Sequence, residues 1–263
     1  MTNAQEKIEG LRSKLHQYNF EYYVNDTSLI SDFEFDQLMK ELQDLEALHP
    51  EFYDSNSPSQ RVGGQITKNF ETVTHAERMY SLGNTYSEEE IREWVDRIIK
   101  NLEGKTPTFT CELKYDGASI NLTYEKGALL RAVTRGDGTQ GDDVTMNIKT
   151  IPNVPLKLQG NFPDLFEIRG EIVMPLAGFE ALNRKRVEAG EEPYMNPRNT
   201  ASGSLKLQDS SETAQRPLRC LLYALVSKNI GFKSHYDTLV EARTWGFTVP
   251  DTLVQADSIQ GIL

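Results

Sequence analysis

Apolar and polar residues alternate with a helical period over the first fifty positions. An apolar residue recurs every three or four positions across 8–22, which makes one stripe and predicts an amphipathic helix. After a polar break, Ser31 and Glu34 form a capping-box pattern that predicts a second helix beginning near Asp32 and stopping before Pro50. Two helices with a short connection indicate a small helical hairpin unit.

A polar, irregular stretch separates this unit from the rest of the chain. Prolines and glycines are frequent across 50–70, so we predict a helical domain over 1–69 and a second domain over 70–263. Within the second domain, Ser87 and a glutamate three residues later form another capping-box pattern, which predicts a helix that Gly104 would end.

From residue 107 the apolar pattern changes to a period of two, which is typical of β-strands. Glu112, Lys114 and Asp116 then share the polar face of a predicted strand, and the pattern inverts after Asp116-Gly117, which favours a hairpin or a bend. Further strands are predicted at 129–135, 166–174 and 221–226, and helices at 176–188 and 234–245. This order predicts an α+β fold, a small N-terminal helical domain followed by a largely antiparallel domain.

Composition narrows the class of protein. The 263 residues carry a net charge of −11, which argues against a general nucleic-acid coat, so any DNA contact must come from local basic patches. Cys111 and Cys220 are the only cysteines, too few for a disulfide framework or a four-cysteine zinc site. No apolar run is as long as a membrane span, and the first residues do not resemble a secretory signal. We therefore expect a cytoplasmic protein without a membrane partner.

Lys114 is the first candidate for chemistry. A lysine between two carboxylates on a strand is most often part of an exposed row of alternating charges. Arg135, Arg169 and Glu171 also project from polar faces of predicted strands, however, and these groups together could line a phosphate and ribose pocket. A lysine attacks phosphorus only as the neutral amine. Since a free lysine has a pKa of roughly 10.4, cations such as Arg135 or a bound Mg²⁺ would be needed to favour that form.

Several runs of residues carry a resemblance to a known family. Lys114-Tyr115-Asp116-Gly117 fits the KxDG motif of the covalent nucleotidyltransferases, which include DNA ligases, RNA ligases and mRNA-capping enzymes. The longer run from Cys111 resembles the CELKxDG signature of bacterial NAD-dependent DNA ligases and is much more specific. The similarity covers essentially the whole chain. The other matching runs are TRGDG at 134–138, RGE at 169–171, NPRN at 196–199 and ASGSL at 201–205.

The resemblance implies the fold of a nucleotidyltransferase, or adenylation, domain and a chemistry centred on Lys114. This lysine would attack the α-phosphate of NAD, become adenylated and release nicotinamide mononucleotide. In the parent enzyme, the AMP would then activate the 5′-phosphate of a nick in double-stranded DNA during replication and repair. The residues implied around the adenylyl half of NAD are Ser81, Leu82, Glu112, Asp116, Gly117, Arg135 and Glu171.

The helical domain is implied to bind the nicotinamide mononucleotide half of NAD. An aromatic ring can stack on the nicotinamide, and carboxylates can bind the ribose hydroxyls or the amide. Phe35 departs from the tyrosine that is usual in the family, which removes one hydroxyl contact. Taken alone, Tyr22 continues an apolar stripe and Asp32 suits the first turn of a helix, so only the joint match assigns them a ligand. The matching residues are Tyr22, Tyr23, Asp32, Phe35 and Asp36.

The resemblance also implies contacts with DNA and a metal. Arg198 and Lys206 would contact DNA phosphates, although each taken alone is typical of a solvated surface charge. Mg²⁺ or Mn²⁺ is implied as the metal, with no protein ligand assigned, and zinc only in a C-terminal part beyond this sequence. Two further lysines belong to later motifs of the family, and the sequence ends at Leu263 before either. We therefore expect a monomer with an incomplete adenylation domain that cannot seal a nick, and self-adenylation stays open.

Other functions must be weighed against this one. Residues 136–141 match GxGxxG, but the residues that follow have no sustained helical stripe and contain two prolines, so a dinucleotide-binding fold for hydride transfer is not expected. An ATP- or GTP-dependent RNA ligase or capping-type nucleotidyltransferase would use the same chemistry. A catalytically inert NAD-binding fragment is the third alternative. The paired tyrosines of the helical opening favour NAD.

Overall fold

The structure, a computed structural model, describes residues 3–23, 27–62, 69–227, 231–232 and 234–263. The side chains of Asn3, Tyr23, Asp32 and Val62 lie outside the description. The predicted nicotinamide contacts of Tyr23 and Asp32 therefore fall outside the described residues. Within these ranges, no helix combines the length and the apolar character needed to cross a membrane.

Two helices pack together to form the N-terminal unit. They are α1 (Asn3–Tyr23) and α2 (Asp32–Leu48), as the apolar stripes predicted. Ile8 and Leu15 of α1 are fully buried in one cluster with Leu42 of α2. Because residues three or four apart lie on one face of a helix, the stripe that predicts α1 is also the face that it buries.

Local sequence signals set both ends of α2. The predicted capping box is confirmed, because the backbone N–H of Glu34 donates to Ser31 Oγ at 3.3 Å and that of Ser31 donates to Glu34 Oε2 at 2.9 Å. The helix ends before a proline, as predicted. Two 3-10 helices, Pro50–Phe52 and Pro58–Val62, then occupy the stretch predicted to be irregular.

The segment after α2 joins the helical unit to the rest of the protein. Arg61 donates to the carbonyl of Ile151 at 3.0 Å and to that of Val154 at 2.8 Å. Lys157 forms an ion pair with Asp54 at 2.6 Å. These contacts join the 3-10 segment of the helical unit to the irregular segment after α4.

The second part mixes strands and helices. The strands are β1 Thr72–Thr74, β2 Phe109–Cys111, β3 Ala118–Glu125, β4 Ala128–Thr134, β5 Gln140–Asp142, β6 Leu165–Val173, β7 Arg219–Val226 and β8 Val254–Ala256. The helices are α3 Glu88–Asn101, α4 Thr145–Ile148, α5 Leu176–Glu188, α6 Pro197–Leu205, α7 Ser210–Ala214, α8 His235–Thr244 and α9 Ile259–Ile262.

An antiparallel sheet in the order β4-β3-β6-β7 is the centre of this part, so the predicted α+β fold is confirmed. Two smaller antiparallel pairs, β1 with β5 and β2 with β8, lie outside it. One face of the large sheet is apolar and packs into the core. Tyr124 and Phe166 stack there at 5.6 Å between ring centroids, with Trp245 and Phe247 against them. The other face carries the polar side chains that build the candidate site.

The strand predicted through Lys114 is wrong. β2 ends at Cys111 because β8 pairs with only three of its residues, and β3 does not begin until Ala118. The intervening segment turns instead, with the N–H of Tyr115 donating to the carbonyl of Leu113 at 3.1 Å. Since β3 pairs with β4 and β6, the Asp-Gly pair of this segment marks a bend and not a hairpin.

The GxGxxG match has a different structure from a dinucleotide-binding loop. It forms the turn between β4 and β5, where Gly136 and Gly138 adopt positive φ angles of 54° and 90°. The next helix, α4, has only four residues, so the long helix of a dinucleotide-binding motif is not formed there.

Helix α3 begins where predicted, but its capping box is incomplete. Ser87 Oγ accepts from the N–H of Glu90 at 3.2 Å, while the Glu90 carboxylate accepts from Tyr86 N–H at 2.6 Å instead of returning to Ser87. After the helix, Gly104 has a φ of 82° and donates to the carbonyl of Ile99 at 3.0 Å, which confirms the predicted stop.

Candidate functional site

Lys114 lies exposed in the segment between β2 and β3, and its side chain has no hydrogen-bond or ion-pair partner within the described part of the chain. Both neighbouring carboxylates face other residues. Glu112 Oε1 lies 3.2 Å from His235 Nε2, and Asp116 Oδ1 lies 3.0 Å from Arg198 Nη1. The three charged side chains are exposed, but they do not form a row on a strand, because the segment from Glu112 to Gly117 is irregular. Because both carboxylates face other residues, neither occupies the side chain of Lys114, which stays accessible to a ligand.

Gly117 anchors this segment to the large sheet. Its N–H donates to Glu171 Oε1 at 3.2 Å, and Ser119 Oγ donates to Glu171 Oε2 at 2.6 Å from the neighbouring strand. A Cβ at Gly117 would lie only 2.2 Å from the carbonyl oxygen of Ile172, so glycine alone allows this close approach. Each Glu171 oxygen already accepts one hydrogen bond and keeps a lone pair for a further donor.

A strap, defined as residues 75–81, is held by two arginines of the second domain. Arg169 of β6 donates to the carbonyl of Glu77 at 2.5 Å, and Arg135 Nη2 donates to Ser81 Oγ at 2.8 Å. The structure thus brings together the two predicted site residues Arg135 and Ser81. Leu82 follows the strap and is 76% exposed, which leaves an apolar side chain available to an apolar ligand surface.

Tyr223 and Ser119 lie in this site and are absent from the sequence-based prediction. The pairing of β6 with β7 shifts register between Arg169 and Gly170, and the shift places Tyr223 beside Glu171. Burial raises the pKa of Tyr223 above its ordinary value, and the Ser119 hydroxyl partly offsets that rise. A tyrosine within an otherwise apolar strand was a visible signal, but the register shift was not.

The helical unit contains a separate cavity of about 190 Å³. Tyr22 is 55% exposed although it continues the apolar stripe of α1, and Phe35 is partly buried. Asp36 is exposed on α2 and is not among the lining residues. Of the three predicted nicotinamide residues whose side chains the structure describes, Tyr22 and Phe35 therefore line this cavity. The cavity is lined by Tyr18, Asn19, Tyr22, Ser28, Leu29, Ile30, Ser31 and Phe35.

The two predicted DNA contacts belong to the region of α6. Its N-cap residue Asn196 accepts from Asn199 N–H at 2.8 Å, which fixes the first turn that carries Arg198. Lys206 is the C-cap residue and forms an ion pair with Asp142 at 2.7 Å. Both cations are more than half exposed, so phosphate could reach them.

The described residues do not form a metal site by themselves. No group of three or more histidine, cysteine, aspartate or glutamate side chains lies close enough to hold a metal ion in the described ranges. A Mg²⁺ ion usually takes one or two carboxylates together with phosphate oxygens of a substrate. Such a shared site does not require a cluster of three protein ligands.

Two family models match the chain. The NAD-dependent DNA ligase adenylation domain matches residues 67–263, and the DNA ligase-like, N-terminal NAD⁺-binding domain matches residues 1–63. These matches cover the large sheet with its polar site and the helical unit with its cavity, respectively.

Curated relatives give the same result. The chain is 62% identical over 260 residues to a DNA ligase of Christiangramia forsetii, which covers 99% of the chain and 39% of the relative. It is 60% identical over 245 residues to a DNA ligase of Flavobacterium psychrophilum, and the match covers 93% of the chain and 37% of that relative. A DNA ligase of Parabacteroides distasonis is 54% identical over 257 residues, and the match covers 97% of the chain and 39% of that relative. The chain therefore spans about two fifths of the length of these relatives.

Proposed function

Since this chain belongs to the NAD-dependent DNA ligase family, we propose that it binds NAD and that Lys114 accepts the AMP half as a covalent adduct. The observation that carries the proposal is the unpaired amine of Lys114 between two carboxylates that face Arg198 and His235. A nucleophilic amine must be reachable by the phosphate that it attacks, and a lysine side chain without a partner meets that requirement.

The proposed step exchanges one bond to phosphorus for another. Lys114 Nζ attacks the α-phosphorus of the AMP half, and an N–P bond forms. The bond from that phosphorus to the bridging oxygen breaks, so nicotinamide mononucleotide leaves with the electron pair on its phosphate. The nitrogen loses its proton to solvent, which leaves AMP on the lysine. Cationic and N–H donors that face the phosphate would offset the charge that develops there.

The polar face of the large sheet supports binding of the nucleoside. Glu171 can accept a hydrogen bond from a ribose hydroxyl with the lone pairs left by Gly117 and Ser119. Arg135, held beside Ser81, brings a permanent positive charge to the same face. Tyr223 offers an aromatic surface for the base.

The helical unit would take the other half of the dinucleotide. Its cavity presents an exposed tyrosine ring, Tyr22, next to the partly buried Phe35. A flat nicotinamide ring can stack on such a surface. We therefore assign nicotinamide mononucleotide to this cavity, with Asp36 outside its lining and Tyr23 and Asp32 left as predictions.

In the whole protein, the adenylate would activate the 5′-phosphate of a nick, and a 3′-hydroxyl would displace AMP to seal the strand. Arg198 and Lys206 would contact phosphates of the nicked duplex. Such a protein would act in DNA replication and repair, in the cytoplasm, where NAD and bacterial DNA are both present. A divalent cation would enter with the phosphates of NAD.

The choice between NAD and a nucleoside triphosphate can be tested by the leaving group. The chain, completed with the remaining length of a curated relative, is incubated with NAD, ATP or GTP in the presence of Mg²⁺, and the small products are separated by chromatography. We expect nicotinamide mononucleotide from NAD and no pyrophosphate from either triphosphate. Pyrophosphate release that Lys114→Ala abolishes would overturn the proposal in favour of an RNA ligase or capping-type enzyme.

The assignment of the helical cavity has its own test. Tyr22→Ala should weaken the binding of nicotinamide mononucleotide about threefold to tenfold, because a stacking surface is removed, and should leave AMP binding unchanged. Tyr53→Ala is the matched control, since Tyr53 is a 63% exposed tyrosine of the same unit outside the cavity. Calorimetric titration measures both. If the two variants weaken binding equally, the assignment of nicotinamide mononucleotide to this cavity is wrong.

A further inference from the structure

We propose that His235 is a positioning residue that orients the Glu112 carboxylate toward the 6-amino group of adenine and so sets the preference for an adenine nucleotide. The inference rests on the proposed function, because it requires the adenylyl half of NAD to lie beside Glu112. Nothing in the motifs that carry the family resemblance includes His235, which is reached only through its contact with Glu112.

The contact between His235 and Glu112 identifies the donor and the acceptor atom of the hydrogen bond. His235 Nε2 lies 3.2 Å from Glu112 Oε1. An ionised carboxylate can only accept hydrogen bonds, so the histidine must carry its proton on Nε2 and donate it. This bond occupies one carboxylate oxygen and orients the carboxylate plane. The second oxygen, Oε2, is left to accept from a ligand.

His235 is well placed to act as the fixed partner of the pair. It is the first residue of α8, whose N-cap Ser234 accepts from Asp237 N–H at 3.1 Å. Leu239 and Ala242 of the same helix are fully buried in the core of the second domain. Because the helix is capped at its start and buried along one side, the position of the imidazole is set by the core.

Glu112 needs such a partner because its own backbone is less constrained. It follows Cys111, the last paired residue of β2, and precedes the irregular segment of Lys114. The next side-chain contact of this segment joins Tyr115 Oη to Thr252 Oγ1 at 3.1 Å. Without the imidazole, the carboxylate would be free to rotate at the edge of the site, since its side chain is 27% exposed.

An oriented carboxylate discriminates between bases by hydrogen-bonding chemistry. The 6-amino group of adenine donates to a carboxylate oxygen, whereas a 6-carbonyl in the same place presents a second acceptor. Two facing acceptors repel and both lose hydrogen bonds to water, which makes this form of discrimination strong. A carboxylate that rotates freely can turn away from the carbonyl, so the discrimination should weaken when His235 is removed.

The experiment compares NAD with its 6-deamino analogue, which carries the 6-carbonyl. Dissociation constants for both are measured by calorimetric titration of the full chain, together with the melting temperature from circular dichroism. We expect His235→Ala to reduce the preference for NAD about threefold to tenfold, the effect of misplacing one hydrogen bond. His235→Gln should restore the preference, because its amide nitrogen can replace Nε2. His235→Asn should not restore it, since its shorter side chain places the amide at Nδ1.

A matched control removes a similar pair elsewhere. His49 Nδ1 lies 3.1 Å from Glu51 Oε1 in the helical unit, and His49→Ala should leave the preference unchanged. An unchanged preference in His235→Ala, or equal weakening of both dinucleotides with a lower melting temperature, would overturn the inference. The same holds if His235→Gln fails to restore the preference although it folds. If the unaltered chain binds neither dinucleotide, the proposed function itself fails, which is a distinct result.

Discussion

Arg198 Nη1 lies 3.0 Å from Asp116 Oδ1, which joins a predicted DNA contact to the motif that carries Lys114. The two side chains are 60% and 73% exposed, so water and ions weaken their attraction. A DNA phosphate that binds Arg198 must compete with Asp116 for the same guanidinium. Binding of DNA would therefore release a carboxylate next to the reactive lysine.

The same pairing leads to a prediction for DNA binding. Arg198→Ala and Lys206→Ala should each weaken binding to a nicked duplex and each reduce the slope of log affinity against log salt by about one, because one phosphate contact is lost. Fluorescence anisotropy over a series of low salt concentrations measures both quantities. With a net charge of −11, the chain should bind measurably only at low ionic strength.

Arg92→Ala supplies the control for this experiment. Arg92 is an exposed arginine of α3 that is paired with Glu88, so its removal changes the net charge by the same amount. The control should shift affinity slightly and leave the salt slope unchanged. If Arg92→Ala lowers the slope as much as Arg198→Ala does, the effect reflects overall charge, and the proposed DNA contact on α6 is wrong.

Local signals in the sequence were sufficient for much of the fold. The start of α2 depends on Ser31 and Glu34, which are three residues apart, and α5 runs from Leu176 to Glu188, as predicted. Strands β6 and β7 were recovered from alternation and from an apolar run. These features depend on neighbours along the chain, and a single sequence shows such neighbours directly.

The segment around Lys114 shows where local signals fail. Its period-two pattern is genuine, but a strand also needs a partner, and β8 supplies only three residues, from Val254 to Ala256. His235 pairs with Glu112 across 123 positions, and Tyr223 enters the site through a register shift. Such pairings depend on tertiary structure. Alternation in the sequence marked Lys114 and Glu171 as candidates on polar faces, and the family resemblance supplied their expected roles.

The close approach at Gly117 predicts a large effect of a small substitution. Gly117→Ala should destabilise the protein by about 1–3 kcal/mol, since the new methyl group would meet the Ile172 carbonyl and force the backbone to shift. Gly203→Ala in α6 is the control, because nothing lies within 4 Å of its Cβ, and alanine should stabilise the helix by up to about 1 kcal/mol. Urea unfolding measures both. A Gly117→Ala variant as stable as the unaltered protein would contradict the packing described for this segment.

The interface between the two units predicts a dependence of stability on pH. His16 lines a cavity of about 20 Å³ with Arg61 and Lys157, and its Nε2 is buried with no hydrogen-bond partner in the described part of the chain. Burial, reinforced by the charges of Arg61 and Lys157, lowers the pKa of His16 to about 3. The folded protein therefore keeps this imidazole neutral, whereas the unfolded chain protonates it below about pH 6.5.

Stability should accordingly be lost as the pH falls from about 6.5 toward 3, because only the unfolded state gains this proton. Between pH 7 and pH 5, the unaltered protein should lose about 2 kcal/mol more than His16→Gln, which cannot titrate. Urea unfolding at the two pH values measures the difference, and the titration of other groups cancels between the two proteins. Equal losses would show that His16 is not buried as described.

Mass spectrometry tests directly whether Lys114 is the residue that carries AMP. The chain, and the chain completed with the remaining length of a curated relative, are incubated with NAD and Mg²⁺, and intact masses are followed by peptide mapping. We predict that the completed protein gains the mass of one AMP, that the peptide containing Lys114 carries it, and that Lys114→Ala gains none. An adduct that persists in Lys114→Ala, or that maps to another residue, would contradict the account.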